Sequence, residues 1–313
     1  MIATLTLNPS LDRTVEVPAL VRGTVIRATS GRLDPGGKGV NVARALLANG
    51  VDARAVLPVG GDVGRQLVEM LDAEGVAMTA VPVAGATRSN LTLSEPDGAV
   101  TKVNEVGDPL AAGEIDQLAE AVTDLVRPGG WVVLSGSLPA GTDPEVYARL
   151  AERFARAGTR VAVDTSGPAL LEALRGRPAL VKPNREELSE VIGRDVHNVA
   201  DAVEAARALR AGGAGAVLAS LGPDGAVLVE PGGVARGHCA VAARRSSVGA
   251  GDCLLAGFLA AGGQGADALA TALRWAAAAV GLPGSGVPGP ADIAARRAHV
   301  TDELDEERSL SPT

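Results

Sequence analysis

Apolar and polar positions along the chain follow two alternating periods. Ile2 to Leu7 reads as a strand that stops at Asn8-Pro9. Around Thr14–Val17 and Val25–Leu33, polar residues take alternate positions, the pattern of strands with one wet face. Gly36-Gly37-Lys38-Gly39 then opens a predicted helix that runs to Asn49 and ends at Gly50. A strand is predicted at Ala53–Val59, and a helix at Asp62–Glu74 with Asp62 as N-cap. Pro96-Asp97-Gly98, flanked by Ser89–Ser94 and Val100–Asn104, has the signature of a hairpin.

From there the rhythm is regular. Helices are predicted at Glu114–Val126, Pro144–Ala157, Glu186–Ile192, Ala200–Ala211, Asp252–Ala261 and Ala266–Val280. Strands alternate with them at Trp131–Leu134, Arg160–Val163, Leu180–Val181, Ala216–Ser220 and Ala226–Val229. Such alternation implies βαβ units and an α/β fold with a mainly parallel central sheet. The polar extended pieces do not belong inside such a sheet and read as a small β-sheet lid. One domain is expected over 1–313, with the lid segments at about 12–34 and 87–105 inserted in it. The stretch from Asp305 to Thr313 is expected to fray.

Composition narrows the picture. Aromatic residues supply only 2% of 313 positions while 46% are hydrophobic, so the core must be built from Ala, Val and Leu. The net charge is −8 and no basic run occurs, which argues against nucleic acid or anionic membrane as partners. Cys239 and Cys253 are too few for a disulfide framework, and His197, His238 and His299 have no metal-ligand spacing. No apolar run approaches the roughly 20 residues needed to span a bilayer. No basic leader precedes the first strand, so a cytoplasmic location is expected.

The chemistry concentrates in short motifs. In Ser246-Ser247-Val248-Gly249-Ala250-Gly251-Asp252, small residues bare the backbone where a helix begins, so its amides can face an anion. A carboxylate there would ordinarily repel that anion, unless it accepts a proton beside a phosphate. Simple helix capping would also account for it. Asp34-Pro35-Gly36-Gly37-Lys38-Gly39-Val40-Asn41 has the glycines and cation of a phosphate loop, but Gly39 follows Lys38 where a Walker motif needs Ser or Thr. Gly284-Ser285-Gly286-Val287-Pro288-Gly289 spells a dinucleotide fingerprint yet follows a helix, and Pro288 disfavours the helix start it would need. Asn184 and Glu187 stand three apart, after the strand Leu180–Val181. They suit either a capping box or a hydrated Mg²⁺.

Together with Asn8-Pro9-Ser10-Leu11-Asp12, Ser135-Gly136-Ser137-Leu138-Pro139, Val181-Lys182-Pro183-Asn184 and Ser220-Leu221-Gly222, these motifs resemble the ribokinase-like sugar kinases, in the family's order and over nearly the whole chain. Gly-Gly-Lys-Gly and Thr87-Arg88-Ser89-Asn90 are similar to the family's phosphosugar branch. The resemblance implies a ribokinase-like three-layer fold with a β-lid. It also implies ATP-dependent phosphorylation of a ketohexose phosphate, with fructose 1-phosphate going to fructose 1,6-bisphosphate as the leading reading. Tagatose 6-phosphate, fructose 6-phosphate, an unphosphorylated sugar, or a non-catalytic sugar-phosphate sensor are the alternatives.

The resemblance further implies Asp252 as general base and the amides of Gly249, Ala250 and Gly251 as the anion hole. Asp12, Asn41, Gly36, Gly37 and Ser137 would face the sugar, and Lys38, Arg88, Arg27 and Lys102 the phosphate it already carries. Lys182, Asn184, Ser220, Gly222 and Gly225, with Gly249 and Gly251, would line the nucleotide. Asn184 and Glu187 would organise Mg²⁺ through water, with room for a monovalent cation. A homodimer through the lid is expected. Cys253 and Gly284 depart from the family pattern. The cysteine is expected to be a packed core thiol, and the glycine stands where a polar residue usually lies near the adenine.

Overall fold

The computed structural model describes residues 1–241 and 243–311. The chain runs β1 (Ile2–Leu5), β2 (Ser10–Glu16), β3 (Ser30–Gly36), α1 (Lys38–Ala48), β4 (Ala53–Val59), α2 (Gly61–Ala73), β5 (Met78–Pro82), β6 (Arg88–Ser94) and β7 (Val100–Asn104). It continues through α3 (Ala112–Leu125), β8 (Trp131–Ser135), α4 (Val146–Arg156), β9 (Arg160–Asp164), α5 (Pro168–Ala173), β10 (Leu180–Val181), α6 (Arg185–Ile192), α7 (Val199–Ala211), β11 (Ala216–Ser220) and β12 (Ala226–Glu230). Then follow β13 (Gly233–Cys239), α8 (Ala250–Ala260), α9 (Gly265–Val280), α10 (Pro290–Ala294) and β14 (Ala298–Thr301).

Ten strands form the main sheet in the order β14-β13-β12-β11-β10-β9-β8-β1-β4-β5. From β5 to β11 neighbours run parallel, and β12, β13 and β14 complete one edge antiparallel. One face carries α3 to α7 over a core that includes Leu134, Phe154, Val163 and Leu209. The other carries α1, α8 and α9, with α2 extending it over Ala55 and Leu57. Both faces of β1 are covered, which explains its uninterrupted burial.

Small residues replace aromatics where helices cross. Gly257 of α8 meets α9 so closely that a methyl on it would stand 2.8 Å from Trp275 Cγ and 3.1 Å from Ala272 Cα. Trp275 and Trp131 are themselves buried, in α9 and β8. Among the described residues no helix is long and apolar enough to cross a membrane.

The second sheet, β3-β2-β6-β7, stands apart and forms the lid. Its strand β3 begins at Ser30, later than the expected Val25, because Val25 is exposed and finds no apolar surface. The sequence pattern also missed β5, β13, β14, α5 and α10, all short or at the edges. Helix α2 begins one residue early, with Gly60 at the N-cap instead of Asp62.

The expected fraying of the C-terminal stretch does not occur up to residue 311. Val199 and Ala200 donate backbone bonds to the carbonyls of Arg308 and Glu306, Leu310 is buried, and Ser311 N donates to Asp224 Oδ2 at 2.7 Å. Residues 312 and 313 lie outside the described residues. Buried leucine and backbone pairing outweigh the charged composition that suggested a loose end.

Gly257→Ala is expected to destabilise the protein by about 1–3 kcal/mol through overpacking, measured by urea denaturation. Gly113→Ala, at an exposed position of α3 with nothing within 4 Å, is the control and should be neutral or slightly stabilising.

Candidate active site

The strands β1, β8, β9, β10 and β11 all point their carboxyl ends at one cleft, the place where open α/β sheets present ligand-binding loops. The chain leaves β1 for the lid at Asn8, whose Nδ2 donates to Val106 O (2.9 Å), Ser137 Oγ (3.3 Å) and Leu138 O (3.4 Å). Arg88 binds the same hinge. Its Nη1 donates to Glu105 O at 2.7 Å, and its Nη2 to Asn8 O at 3.2 Å and Ser137 Oγ at 3.5 Å.

Register divides the lid into two faces. Pairing puts Ser10, Asp12 and Thr14 beside Gly36, Asp34 and Arg32, and beside Arg88, Asn90 and Thr92, which in turn pair with Asn104 and Lys102. That face is polar throughout and looks toward the body. The opposite face carries Val15, Leu33, Leu91, Leu93 and Val103.

Asp12 Oδ1 accepts from Ser10 Oγ (2.7 Å) and Asn90 Nδ2 (2.8 Å). Gly36 is required here, since a methyl on it would stand 2.6 Å from the Asp12 carboxylate. Gly37 then turns the chain into α1 with φ +116°, a conformation that side chains rarely adopt.

At the cleft floor, Gly249 (φ +76°) turns the chain into α8, which carries Asp252 buried in its first turn. Asn41 Nδ2 of α1 donates to Asp252 Oδ2 at 2.8 Å. Ala250 N is taken by Ser247 O at 3.3 Å, whereas among the described residues no acceptor meets the N–H of Gly249 or Gly251. Lys182 stands over this turn, with its Nζ 3.3 Å from where a methyl on Gly251 would lie.

A glycine-lined helix start, a buried carboxylate and a nearby ammonium form the constellation used to move a phosphoryl group onto a hydroxyl. A carbohydrate-kinase family model, described as "pfkB family carbohydrate kinase", matches residues 5–292. The chain belongs to the pfkB family of carbohydrate kinases. It is 40% identical over 312 residues to a 1-phosphofructokinase from Rhodobacter capsulatus, covering 96% of each chain. It resembles the solved phosphofructokinase-2 from Escherichia coli in complex with potassium, with a TM-score of 0.87 and 34% identity over 94% of this chain and 96% of that one. Arabidopsis thaliana ribokinase, at a TM-score of 0.76 and 21% identity over 94% and 97%, shares the ribokinase-like fold. As a pfkB-family kinase, the protein is a phosphotransferase acting on a sugar hydroxyl.

In this pfkB-family kinase the sequence did not reveal what holds the cleft together. Asp164, at the end of β9, is fully buried and accepts from Lys38 Nζ at 2.7 Å through Oδ1, while Lys182 Nζ lies 3.1 Å from Oδ2. Lys38, expected on the substrate's phosphate, thus has its ammonium on Asp164 and 4.0 Å from Glu187. The predicted strand Arg160–Val163 stopped one residue short of this carboxylate. The signal was there, since a carboxylate closing a parallel strand sits at the ligand-binding edge. Asn90 and the hinge residue Asn8 carry no signal in the sequence beyond their place in the motifs.

The electrostatics follow from that burial. Burial would raise the Asp164 pKa, yet Lys182 and Lys38 hold it below the ordinary carboxylate range. Burial works to lower the Lys38 pKa, but Asp164 and Glu187 outweigh it and hold the pKa high. Asp252 has no such direct partner. Burial and the neighbouring Asp164 charge push it up to about 7, against the opposing pull of Asn41, Lys182 and Lys38. Cys253, next to it, is buried and its thiol is pushed up to about 12, so it is an inert core group.

Asn184 and Glu187 form a reciprocal capping box at α6, each bond 2.8 Å. The cap uses Glu187 Oε2 and leaves Oε1 on the Lys38 side; burial holds this carboxyl above its ordinary pKa despite Lys38. Among the described residues no three His, Cys, Asp or Glu side chains converge on a metal position. The oxygen donors of Asn184 and Glu187 are of the kind a hard cation takes through its waters. Ser220 bridges to Asn184 beside this cap, and Gly222 (φ +59°) and Gly225 (φ +91°) shape the turn that follows. Arg27 lies in the exposed loop between β2 and β3, and Lys102 is exposed on β7, so neither is brought into the Lys38 cluster.

With Asp252 as the acceptor of a hydroxyl proton, activity is expected to fall as pH drops through about 7, where this carboxylate takes up a proton. Asp164→Asn removes a repelling charge, so the acidic limb of kcat should move to lower pH. Asp252→Asn should lower kcat by about 10²–10⁴-fold. Its native pKa lies above the unfolded value of 3.8, so native Asp252 resists losing its proton and stability declines from there up to about pH 7. Asp252→Asn is therefore expected to raise Tm at pH 8, read by calorimetry alongside the pH–rate profile.

Proposed function

We propose that this kinase transfers the γ-phosphoryl group of ATP to fructose 1-phosphate, giving fructose 1,6-bisphosphate and ADP. The observation that carries the reading is Asp252, buried at the start of α8, hydrogen-bonded by Asn41 and poised near neutral pKa. In the step, the substrate hydroxyl oxygen attacks the γ-phosphorus while its proton passes to Asp252. The bond from phosphorus to the β–γ bridging oxygen breaks, and ADP carries that oxygen away. The amides of Gly249 and Gly251, with Lys182 beside them, face the charge that grows on the transferring group. Ala250 contributes less, since its N–H is engaged with Ser247.

Lys38 and Asn41 would hold the catalytic end of the sugar site, with Asp12, Gly36, Gly37 and Ser137 around the sugar. Arg88 would exchange the carbonyls of Glu105 and Asn8 for the phosphate already on the substrate, with Lys102 and Arg27 adding charge. Lys182, Asn184, Ser220, Gly222 and Gly225 would line the nucleotide. Mg²⁺ held through water by Asn184 and Glu187 would neutralise phosphate charge when bound, and the potassium in the Escherichia coli relative supports testing for a monovalent-cation requirement. We assign the enzyme to the cytoplasm, where two unpaired cysteines are ordinary.

The cations on the polar lid face support a phosphorylated substrate over a neutral sugar. Side-by-side kcat/KM values for fructose 1-phosphate, fructose 6-phosphate, tagatose 6-phosphate and fructose should rank fructose 1-phosphate first by about tenfold or more. A first rank for another sugar reassigns the substrate, and turnover of none, with or without Asp252→Asn, would support the sensor reading.

The aliphatic residues of the lid's outer face, Val15, Leu33, Leu91, Leu93 and Val103, support a homodimer made by two lids. Leu91→Asp with Leu93→Asp should shift the sedimentation coefficient from dimer to monomer. An unchanged oligomer, or a wild-type monomer, would remove the lid from the interface.

A further inference from the structure

Arg32 projects from the polar face of the lid, and its Nε donates to Asp34 Oδ2 at 2.8 Å, which fixes the plane of the guanidinium. Asp34 is its one carboxylate partner among the described residues. The guanidinium rests against the bare backbone of Gly284, in the loop after α9. A methyl on Gly284 would overlap Arg32 Nη2 and Cζ and lie 2.8 Å from Nη1. Gly284 also has φ +58°, so both space and backbone conformation select glycine there.

That loop is fastened to the body. Arg44 Nη1 approaches Ser285 O at 3.5 Å, and Asn49 Nδ2 donates to Pro288 O at 2.9 Å. At its root, Val280 O accepts from Arg245 N (2.9 Å) and Ser246 N (3.3 Å), the segment that leads into Gly249 and Asp252. Arg32 thus reaches across the cleft to a loop whose base is hydrogen-bonded to the anion-hole segment.

We propose that Arg32 is a positioning residue that couples closure of the lid over the sugar phosphate to the ordering of the nucleotide-side anion hole, by seating its guanidinium on Gly284. The identity of the two ligands rests on the kinase reading; the contact itself does not. Closure at either ligand fixes the seat, and a fixed seat favours the other ligand, as reciprocal coupling requires.

Two measurements test this. In the ligand-free protein, Arg32→Ala and Gly284→Ala should each raise amide hydrogen exchange in both 30–34 and 281–286. In calorimetry, a non-hydrolysable ATP analogue should tighten fructose 1-phosphate binding about tenfold in the wild type and less than about twofold in Arg32→Ala. Nucleotide affinity alone should change less than about twofold, and the acidic limb set by Asp252 should stay in place. Arg32→Lys, which lacks the fork, should remain uncoupled. Exchange changes confined to the mutated segment, or coupling retained in both alanine variants, would overturn the proposal. A wild type that fails to bind fructose 1-phosphate would refute the substrate assignment and leave the exchange measurement to decide the Arg32 contact.

Discussion

The cleft depends on a carboxylate that has no access to water. Asp164 is held between Lys38 from the first helix and Lys182 from the middle of the sheet, so one buried anion ties the start of α1 and the end of β10 to the same point. A buried carboxylate stripped of such partners would cost several kcal/mol and would instead take up a proton. Two ammoniums keep it ionised, and its retained charge helps to raise Asp252. Two cations facing Asp164, Glu187 and Asp252 leave one carboxylate short of a partner. The least compensated of the three is Asp252, at the glycine-lined start of α8.

The lid applies the same economy of material on a larger scale. A four-stranded sheet with alternating sides separates two kinds of surface along each strand, polar groups toward the body and aliphatic groups outward. Arg88 belongs to both lid and hinge, because its guanidinium binds the carbonyls where the chain leaves for the lid and returns from it. The two points where the chain enters and leaves the lid are therefore tied through a single side chain.

Much of this was legible in the sequence. The long elements were, because apolar periodicity is strong over ten or more residues, and so were the glycine-rich turns at Gly36-Gly37 and Gly249–Gly251. The short strand β14 and the tail after Asp305 were not, since their pairing comes from distant residues such as His238, Asp224 and Val199. Lys38 was visible as a cation at a helix start but not as the partner of Asp164, which is 126 residues away in the chain. A pairing of that range leaves no periodic trace. The Asn184–Glu187 spacing allowed both a cap and an ion site. The cap is formed, and its geometry still leaves one oxygen turned toward the cluster.

The scarcity of aromatic residues bears on how this enzyme can be watched. Neither Ser10–Gly36 nor Arg88–Asn104 contains a tryptophan, tyrosine or phenylalanine, while Trp131 and Trp275 lie deep in the body. Intrinsic ultraviolet emission will therefore follow the unfolding of the core and stay largely silent while the lid opens and shuts. Optical detection of that motion calls for a fluorophore introduced on the lid, and Val25, exposed in the loop between β2 and β3, lies outside both faces of its strands.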